Sequence, residues 1–252
     1  MSPQKRRTSL RAQHTPQAIA NRLAAATKHN YLRDFVLGAV DGTVTTFAVV
    51  AGVAGAGLSS GTAIILGLAN LLADGFSMAV GNYLGVKADR EIVDYIRRIE
   101  ENHIEEVPAG EREEIRQIFA AKGFEPPLLD HIVEVITQDR KRWVDTMVME
   151  EFGLRVDNPS PLRSGISTFT AFTSAGAIPL LPFFFTNRLT PHEVFWTSSI
   201  ATAATFFLIG LAKGRIVNRS MLLSGLETFV IGTIAAALAY FVGVALHGLA
   251  SS

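Results

Sequence analysis

Five long apolar stretches, separated by polar segments, constrain this chain more than any other feature of its sequence. Each has close to the roughly 20 helical residues that cross the hydrocarbon core of a bilayer. They predict five transmembrane helices, at about residues 35–58, 62–86, 164–186, 194–212 and 221–246. Charged residues crowd into 1–34 and 86–163, which is typical of a membrane protein with one soluble insertion. The predicted fold class is therefore an all-α polytopic membrane protein.

The predicted spans divide the chain into four parts. These are a basic N-terminal segment (1–30), transmembrane helices 1 and 2 (31–86), a polar insertion (87–160) and transmembrane helices 3 to 5 (161–252). Helical periodicity and breakers predict helices within the insertion at 87–106, 110–122, 127–139 and 140–152. No breaker separates Val86 from Lys87, so the second span is expected to continue into the insertion as one helix. Residues 15–29 predict a short helix on the membrane surface.

Basic residues predict the orientation of the spans. They are abundant before the first span, within the insertion, and between the fourth and fifth spans, at Lys213, Arg215 and Arg219. The opposite side carries Arg188 alone. Because short loops rich in Lys and Arg face the cytosol, the N-terminus and the insertion are predicted to be cytosolic.

Composition excludes several classes of function. The formal net charge of zero gives no support to nucleic-acid binding, which requires a basic surface. The chain has no Cys, so disulfides, thiolate metal sites and iron–sulfur clusters are excluded. It also lacks the phosphate-binding G-x-x-x-x-G-K-[ST] sequence, so ATP-driven pumping is unsupported. No prosthetic group is predicted.

Three acids within the predicted spans mark candidate ion pathways, because a charge in the hydrocarbon region costs a few kcal/mol by insertion scales. They are Asp41 in the first span, Asp74 in the second and Glu227 in the fifth. Asn70, Asp74 and Met78 are spaced i, i+4, i+8 and share one helical face. The inferred depths of Asp41 and Met78 are similar, so one cation can touch both side chains if the first two spans pack together.

A thioether beside a carboxylate suits a transition metal better than Mg²⁺ or Ca²⁺, which favour oxygen ligands. A structural role without metal binding stays open for each of these residues. Met78 can serve packing alone, Asp41 can be a helix cap or pair with Lys213, and Glu227 can pair with Lys213.

The insertion repeats potential metal ligands at helical spacing. The pairs are Glu100 with His103, Glu111 with Glu114, and Met147 with Glu151. Each pair places two ligands on one helical face, so helices facing each other can hold divalent ions. The alternative is that these acids pair with neighbouring arginines on a solvated surface.

The sequence resembles the vacuolar iron transporter family over about residues 31–250. The motifs that carry the resemblance are Asp34-Phe35-Val36-Leu37-Gly38-Ala39-Val40-Asp41-Gly42, Gly67-Leu68-Ala69, Ser77-Met78, Gly85, Val107-Pro108, Glu151-Phe152-Gly153-Leu154 and Ala212-Lys213-Gly214. The resemblance implies a homodimer whose subunits each have five spans and a three-helix cytosolic metal-binding domain. It also implies proton-coupled antiport of Fe²⁺ and related ions. By position it makes Asp41 and Met78 membrane ligands, and Glu100, Glu111, Glu114, Met147 and Glu151 cytosolic ligands.

Two positions depart from the family pattern. His103 stands where a glutamate of the cytosolic site is expected, so that site would gain a neutral nitrogen ligand and lose one negative charge. Asn70 stands where members often carry a glutamate, while Asp74 adds an acid one turn further along the same face. We hypothesise that Asp74 replaces the missing charge and carries the coupled proton.

The predicted function is proton-coupled export of Fe²⁺ or Mn²⁺ from the cytosol for metal detoxification and homeostasis, with Co²⁺ and Zn²⁺ as further candidate ions. The expected location is the plasma or inner membrane of a bacterium, or the vacuolar membrane of a eukaryote. One alternative is a membrane-anchored metal sensor or storage protein. Another is a membrane di-iron oxidase, for which Glu100 and His103 supply a single Glu-x-x-His element where two copies are normal.

Overall fold

The computed structural model describes residues 12, 14–26, 31–157, 159–185, 190–217 and 219–250. Within them the chain forms helices and no strands, as the all-α fold class predicts. The N-terminal basic residues up to Arg11, Lys28 and Arg188 lie outside the described residues, and so does the end of the helix predicted over 15–29.

Nine α-helices follow one another along the described chain. They are α1 (Pro16–Ala26), α2 (Leu32–Gly55), α3 (Ser60–Glu106), α4 (Pro108–Ala121), α5 (Leu128–Thr137), α6 (Arg140–Glu150), α7 (Pro161–Ala177), α8 (Pro191–Ile216) and α9 (Met221–Ala250). A 3-10 helix, Ile178–Phe185, extends α7.

Five of the helical segments are long and apolar enough to cross a membrane, which confirms the predicted spans. They are Leu32–Gly55, the apolar part of Ser60–Glu106, Pro161–Phe185, His192–Arg215 and Met221–Ala245. At 1.5 Å per residue the 47-residue α3 is about 70 Å long, more than twice a hydrocarbon core of about 30 Å. The helix continues past Val86 without interruption, as the absence of a breaker predicts.

The third span is not one regular α-helix over 164–186, as the apolar pattern predicts. It begins at Pro161, capped by Ser160, and changes to 3-10 geometry at Ile178. Pro179 and Pro182 explain the change, because proline lacks the amide hydrogen that an α-helix requires. The fourth span begins at Pro191, before the predicted Val194, because Thr190 and Glu193 form a reciprocal capping box.

The chain divides into two compact units, and α3 contributes residues to both. One unit contains Val86–Pro159 together with α1, and the other contains Asn30–Gly85 and Ser160–Ser252. The first, which we call the polar unit, has a core that includes Ile104, Ile115, Val133, Trp143 and Val148. The second, the membrane unit, has a core that includes Phe47, Val50, Leu71, Phe172 and Leu180.

Glycines bring α2 and α7 into close contact within the membrane unit. A Cβ atom on Gly38 would lie 2.4 Å from the Thr168 carbonyl oxygen, and one on Gly42 would lie 2.3 Å from that of Phe172. Small residues permit such approach between membrane helices. Because the contacts advance by four residues on both helices, α2 and α7 run parallel.

Candidate metal centre

Three potential metal ligands of the polar unit converge in the structure. One ligand atom each from Glu100 and His103 on α3 and Glu111 on α4 lie within 4.8 Å of one another. His103 Nδ1 lies 3.3 Å from Glu111 Oε1 and 3.9 Å from Glu100 Oε1. The chain reverses at Val107, where α3 ends and Pro108 begins α4, and this turn brings Glu111 back against Glu100.

Both glutamates of this group are buried, although acids are usually exposed. Glu100 is 1% exposed and Glu111 is 3% exposed, and the Oε2 atom of each has no hydrogen-bond partner in the structure. A buried carboxylate oxygen without a hydrogen-bond partner carries a desolvation cost. A divalent cation would offset that cost by supplying positive charge and ligand bonds to the free oxygens.

The electrostatics of the group also favour the binding of a cation. Burial, followed by the charges of Glu111, Glu151 and Glu114, raises the pKa of Glu100 to about 8. Burial and the charge of Glu114 also raise the pKa of Glu111, while His103 opposes this shift. Crowded carboxylates hold protons that a cation can displace, so binding would release protons.

The remaining predicted ligands of the polar unit surround this group to different degrees. Glu114 and Glu151 are exposed, but they interact electrostatically with Glu100 and Glu111. Burial raises the pKa of Glu151, and the charges of Glu114 and Glu111 add to the shift. Met147 is completely buried in the core of the polar unit, one turn before Glu151 on the chain.

Several other acids of the polar unit form the ion pairs that the alternative predicts. Arg140 pairs with Glu105, Arg116 with Glu113 and Asp130, Lys122 with Glu150, and Arg97 and Lys141 with Asp145. Within the described residues, the predicted ligands Glu100, Glu111, Glu114 and Glu151 form no such pair with Lys or Arg. The structure therefore separates the acids into a paired set and an unpaired set, and the unpaired set contains the predicted ligands.

A second polar group lies in the membrane unit between α2 and α3. The carboxylates of Asp41 and Asp74 are close enough to interact electrostatically. Thr45 lies one turn after Asp41 on α2, and Asn70 lies one turn before Asp74 on α3. Asn70 Nδ2 donates to Thr45 Oγ1 at 3.3 Å. Thr45 Oγ1 in turn donates to the Asp41 carbonyl oxygen at 2.9 Å. The predicted face of α3 therefore meets the Asp41 face of α2.

Met78 is half-buried and packs against the core cluster of the membrane unit. It lies one helical turn from Asp74 on α3, as its spacing requires. Lys213 and Glu227 form a different kind of site. Their charged atoms lie 3.5 Å apart on α8 and α9, so the structure shows the ion pair that the sequence offered as the alternative to a pathway role.

The sequence predictions missed three polar residues of the membrane unit. Asn82 continues the series Asn70, Asp74, Met78 at i+12, and its Nδ2 donates to Thr168 Oγ1 on α7 at 2.8 Å. Thr45 follows Asp41 at i+4. Asp34, seven residues before Asp41, is buried in the first turn of α2. Helical spacing from the predicted residues was the signal that could have found all three.

These features define a helical integral membrane protein that gathers unpaired carboxylates in two places, in its polar insertion and between its first two spans. The sequence model of the VIT family matches residues 32–244. The chain belongs to the VIT family.

Named relatives agree with this assignment. The chain is 34% identical to vacuolar iron transporter 1 of Arabidopsis thaliana, over 83% of each protein. It is 33% identical to a vacuolar iron transporter of Toxoplasma gondii, over 88% of this chain and 76% of that protein. It is 34% identical to a vacuolar iron transporter of Centaurea cyanus, over 88% of this chain and 89% of that protein. Its relatives are thus transporters rather than enzymes, which is contrary to the oxidase alternative.

Proposed function

We propose that this protein exports Fe²⁺ and Mn²⁺ from the cytosol in exchange for protons. The observation that carries the proposal is the pair of unpaired acid groups, one in each unit. The polar unit collects ions on Glu100, His103 and Glu111, with Glu114, Met147 and Glu151 completing the ligand set. Asp41 and Met78 then bind the ion within the membrane, and Asn70 and Asp74 extend the polar path between the first two spans.

The chemistry of the ligands supports transition-metal cargo. Carboxylate, imidazole and thioether groups together accept Fe²⁺, Mn²⁺, Co²⁺ and Zn²⁺, whereas Mg²⁺ and Ca²⁺ favour oxygen alone. Carboxylates also bind metal when ionised and release it when protonated. This competition supplies a physical basis for antiport, with protons entering on the side where the metal leaves.

A homodimer fits the surface of α3. Asp74 is exposed in the single chain, and Leu66, which precedes it by eight residues in the same i, i+4 series on α3, is 47% exposed. A charged residue facing lipid costs about 2.5–3.5 kcal/mol on insertion scales. A second copy of the chain, covering this surface and leaving a polar path beside Asp74, would avoid that cost. The basic residues before the first span and between the fourth and fifth spans support a cytosolic N-terminus and polar unit.

Storage or sensing requires binding without flux. The buried group in the polar unit alone would suit those roles, but the polar face between α2 and α3 favours movement of ions through the membrane. Sealed proteoliposomes containing the full chain test the choice, with Fe²⁺ or Mn²⁺ uptake followed under imposed pH gradients. Transport requires uptake that depends on the gradient and is lost in Asp41→Ala and Met78→Ala, with folding retained. Binding without uptake by the parent would establish storage or sensing instead.

A further inference from the structure

A cavity of 390 Å³ lies in the membrane unit, and none of the predicted metal ligands lines it. Its walls come from the end of α2, the connection to α3, the 3-10 helix, the start of α8 and the second half of α9. In the first four, the lining residues lie at the end of the span remote from Gly85 and Ser160, where the chain leaves the membrane unit. The volume is within the range of about 300–1,000 Å³ that is usual for small-molecule sites.

The turn that ends α2 forms one wall of the cavity. The amide of Leu58 donates to the Val53 carbonyl oxygen at 3.0 Å, and the amide of Gly57 donates to the Ala54 carbonyl oxygen at 3.1 Å. Gly57 has a φ of 67°, a left-handed conformation that glycine adopts without steric cost. The turn therefore brings Leu58 back toward Val53, and both residues line the cavity.

The facing wall is aromatic and comes from the first turns of α8. His192, Phe195 and Trp196 are spaced i, i+3, i+4 and share one helical face. The capping box of Thr190 and Glu193 fixes where α8 begins, and so fixes the direction of this face. Trp196 Nε1 donates to His192 Nε2 at 3.0 Å, and the two rings meet edge to face with their centroids 6.1 Å apart. The indole ring is thus held in place by a hydrogen bond and a ring contact.

Rings from three segments surround the cavity. The Phe195 centroid lies 6.2 Å from that of Trp196, at an interplanar angle of 65°, and 6.1 Å from that of Tyr240 on α9, at 35°. Phe183 of the 3-10 helix also lines the cavity. Trp196 and Tyr240 are 54% and 39% exposed, so the protein does not cover both faces of these rings. We call this site, lined by Phe183, Phe195, Trp196 and Tyr240, the aromatic cavity.

The aromatic cavity has few charged groups near it. Among the residues that the structure describes, no Asp, Glu, Lys or Arg lines it. The start of α8 is not open to an anion, because the Glu193 carboxylate accepts hydrogen bonds from the amide and the hydroxyl of Thr190. A transition metal would lack ligands here, since Nε2 of His192 already accepts from Trp196. The negative faces of aromatic rings attract a weakly hydrated organic cation instead.

We propose that the aromatic cavity binds a quaternary ammonium group, whose charge interacts with the faces of Phe195, Trp196 and Tyr240. Such a group has no N–H, so it needs no carboxylate or carbonyl to accept a hydrogen bond, and its methyl groups pack against the rings. Two sources supply this chemistry, the headgroup of a membrane lipid and a small water-soluble compound. The inference does not rest on the proposed transport function, and its tests measure no flux.

A neutral isostere of choline tests the role of the charge. Dimethylbutanol has the shape of choline, but carbon replaces the nitrogen. The chain has two Trp, so Trp143→Phe leaves Trp196 as a single fluorescent reporter in the aromatic cavity. In phosphatidylglycerol nanodiscs, choline should change its fluorescence saturably and bind about tenfold more tightly than dimethylbutanol. Equal affinities for the two probes, or no saturable effect of choline, would overturn the proposal.

Tyr240→Leu removes one ring and keeps an apolar side chain of similar size. It should weaken choline binding by about threefold to fivefold and leave dimethylbutanol binding within about twofold. Phe184→Leu is the matched control, because Phe184 is exposed beside Phe183 but does not line the aromatic cavity. If Phe184→Leu lost as much affinity for choline, the aromatic cavity would not be the binding site. Saturation-transfer NMR on the choline methyl protons measures the same affinities in chains that keep Trp143.

The lipid composition of the nanodisc identifies the source of the group. If the occupant is a lipid headgroup, phosphatidylcholine should compete with added choline, so choline should bind more weakly than in phosphatidylglycerol. Equal choline affinities in the two kinds of nanodisc would assign the aromatic cavity to a water-soluble compound. Both results retain the quaternary ammonium site and differ only in what fills it.

Discussion

The two units use acidic side chains at very different densities. In the polar unit, acids are abundant, and several of those outside the Glu100–His103–Glu111 group are matched by Lys or Arg, as in the pair of Arg97 with Asp145. In the membrane unit, acids are few. Glu227 pairs with Lys213, while Asp41 and Asp74 have the hydroxyl of Thr45 and the amide of Asn70 one turn away. A dense group of carboxylates favours tight binding of a cation. A few carboxylates beside neutral amides and hydroxyls bind the cation more weakly, which favours its movement along the path. The comparison identifies pairing, rather than the number of acids, as the property that distinguishes binding residues.

We expect the largest effect on metal binding when an unpaired acid of α4 is replaced, compared with a paired acid on the same helix. Glu111→Gln should weaken Mn²⁺ binding to the full chain by at least about tenfold, the lower end of losses at metal sites when even a supporting group is removed. Glu113→Gln, two residues away and paired with Arg116, is the matched control and should bind as the parent does. Isothermal titration of the detergent-solubilised protein measures both affinities. Equal losses in the two variants would show that overall negative charge, and not the unpaired group, attracts the metal.

The raised pKa of Glu100 predicts opposite effects of pH on metal binding and on metal-free stability. The carboxyl group keeps its proton to about pH 8 in the folded protein but only to about its ordinary value of 4.5 when unfolded. As the pH rises from 4.5 to 8, the unfolded state therefore binds fewer protons and metal-free stability falls. Mn²⁺ binding should strengthen over the same window, because fewer protons compete.

Thermal unfolding with EDTA or with Mn²⁺ at pH 6, 7 and 8 measures both trends. The rise in Tm caused by Mn²⁺ should be greatest at pH 8, and Glu100→Gln should flatten the pH dependence of the metal-free protein. If Mn²⁺ stabilised the parent equally at all three pH values, proton displacement from Glu100 would be refuted.

A smaller, purely structural effect is expected at Asp145. The side chains of Arg97 and Asp145 are 23% and 17% exposed, and hydrogen bonds from Lys141 and Arg97 lower the pKa of Asp145 despite its burial. Asp145→Asn should reduce the free energy of unfolding by about 1–3 kcal/mol, the range for hydrogen bonds to charged groups. The pair contributes fully above the ordinary pKa of 3.8, and its contribution is lost as the pH falls below that value. Denaturation at pH 7 and pH 3.5 tests this, and equal losses at both would contradict it.

The smallest effect belongs to the exposed pair of Lys213 and Glu227. Their side chains are 40% and 55% exposed in the single chain. The double variant Lys213→Met, Glu227→Gln leaves no unpaired charge in the span, so its Tm and Mn²⁺ flux should stay close to those of the parent. A strong loss of flux with unchanged Tm would return this pair to the transport path that the sequence also allowed.

The sequence was sufficient for the spans because each depends on a local property, the length of an apolar run. It also predicted the continuous α3 from the missing breaker at Val86. The 3-10 geometry after Ala177 was harder to predict. An apolar run predicts a span by its length, and that criterion does not register the change of helix type caused by Pro179 and Pro182. Helix ends near Thr190 depended on capping contacts, which hydropathy does not register.

The prediction of site residues had the same limit. Local spacing identified some of them, whereas the burial and pairing of others depended on tertiary packing. The i, i+4 series on α3 found Asn70, Asp74 and Met78, because spacing alone defines a helical face. Asp34 follows the helical spacing of Asp41, but its burial, which depends on the packing of Gly38 against Thr168, could not be read from spacing alone. Likewise, spacing could not tell the unpaired Glu111 from the paired Glu113, since pairing depends on how α4 packs in the polar unit.

Anomalous X-ray scattering at the manganese edge, from crystals of the full chain soaked in Mn²⁺, would show where the ion binds. We expect density between Glu100, His103 and Glu111, and at Asp41 within the membrane unit. Density confined to the paired acids, such as Glu105 and Glu113, with none at either unpaired group, would contradict this expectation.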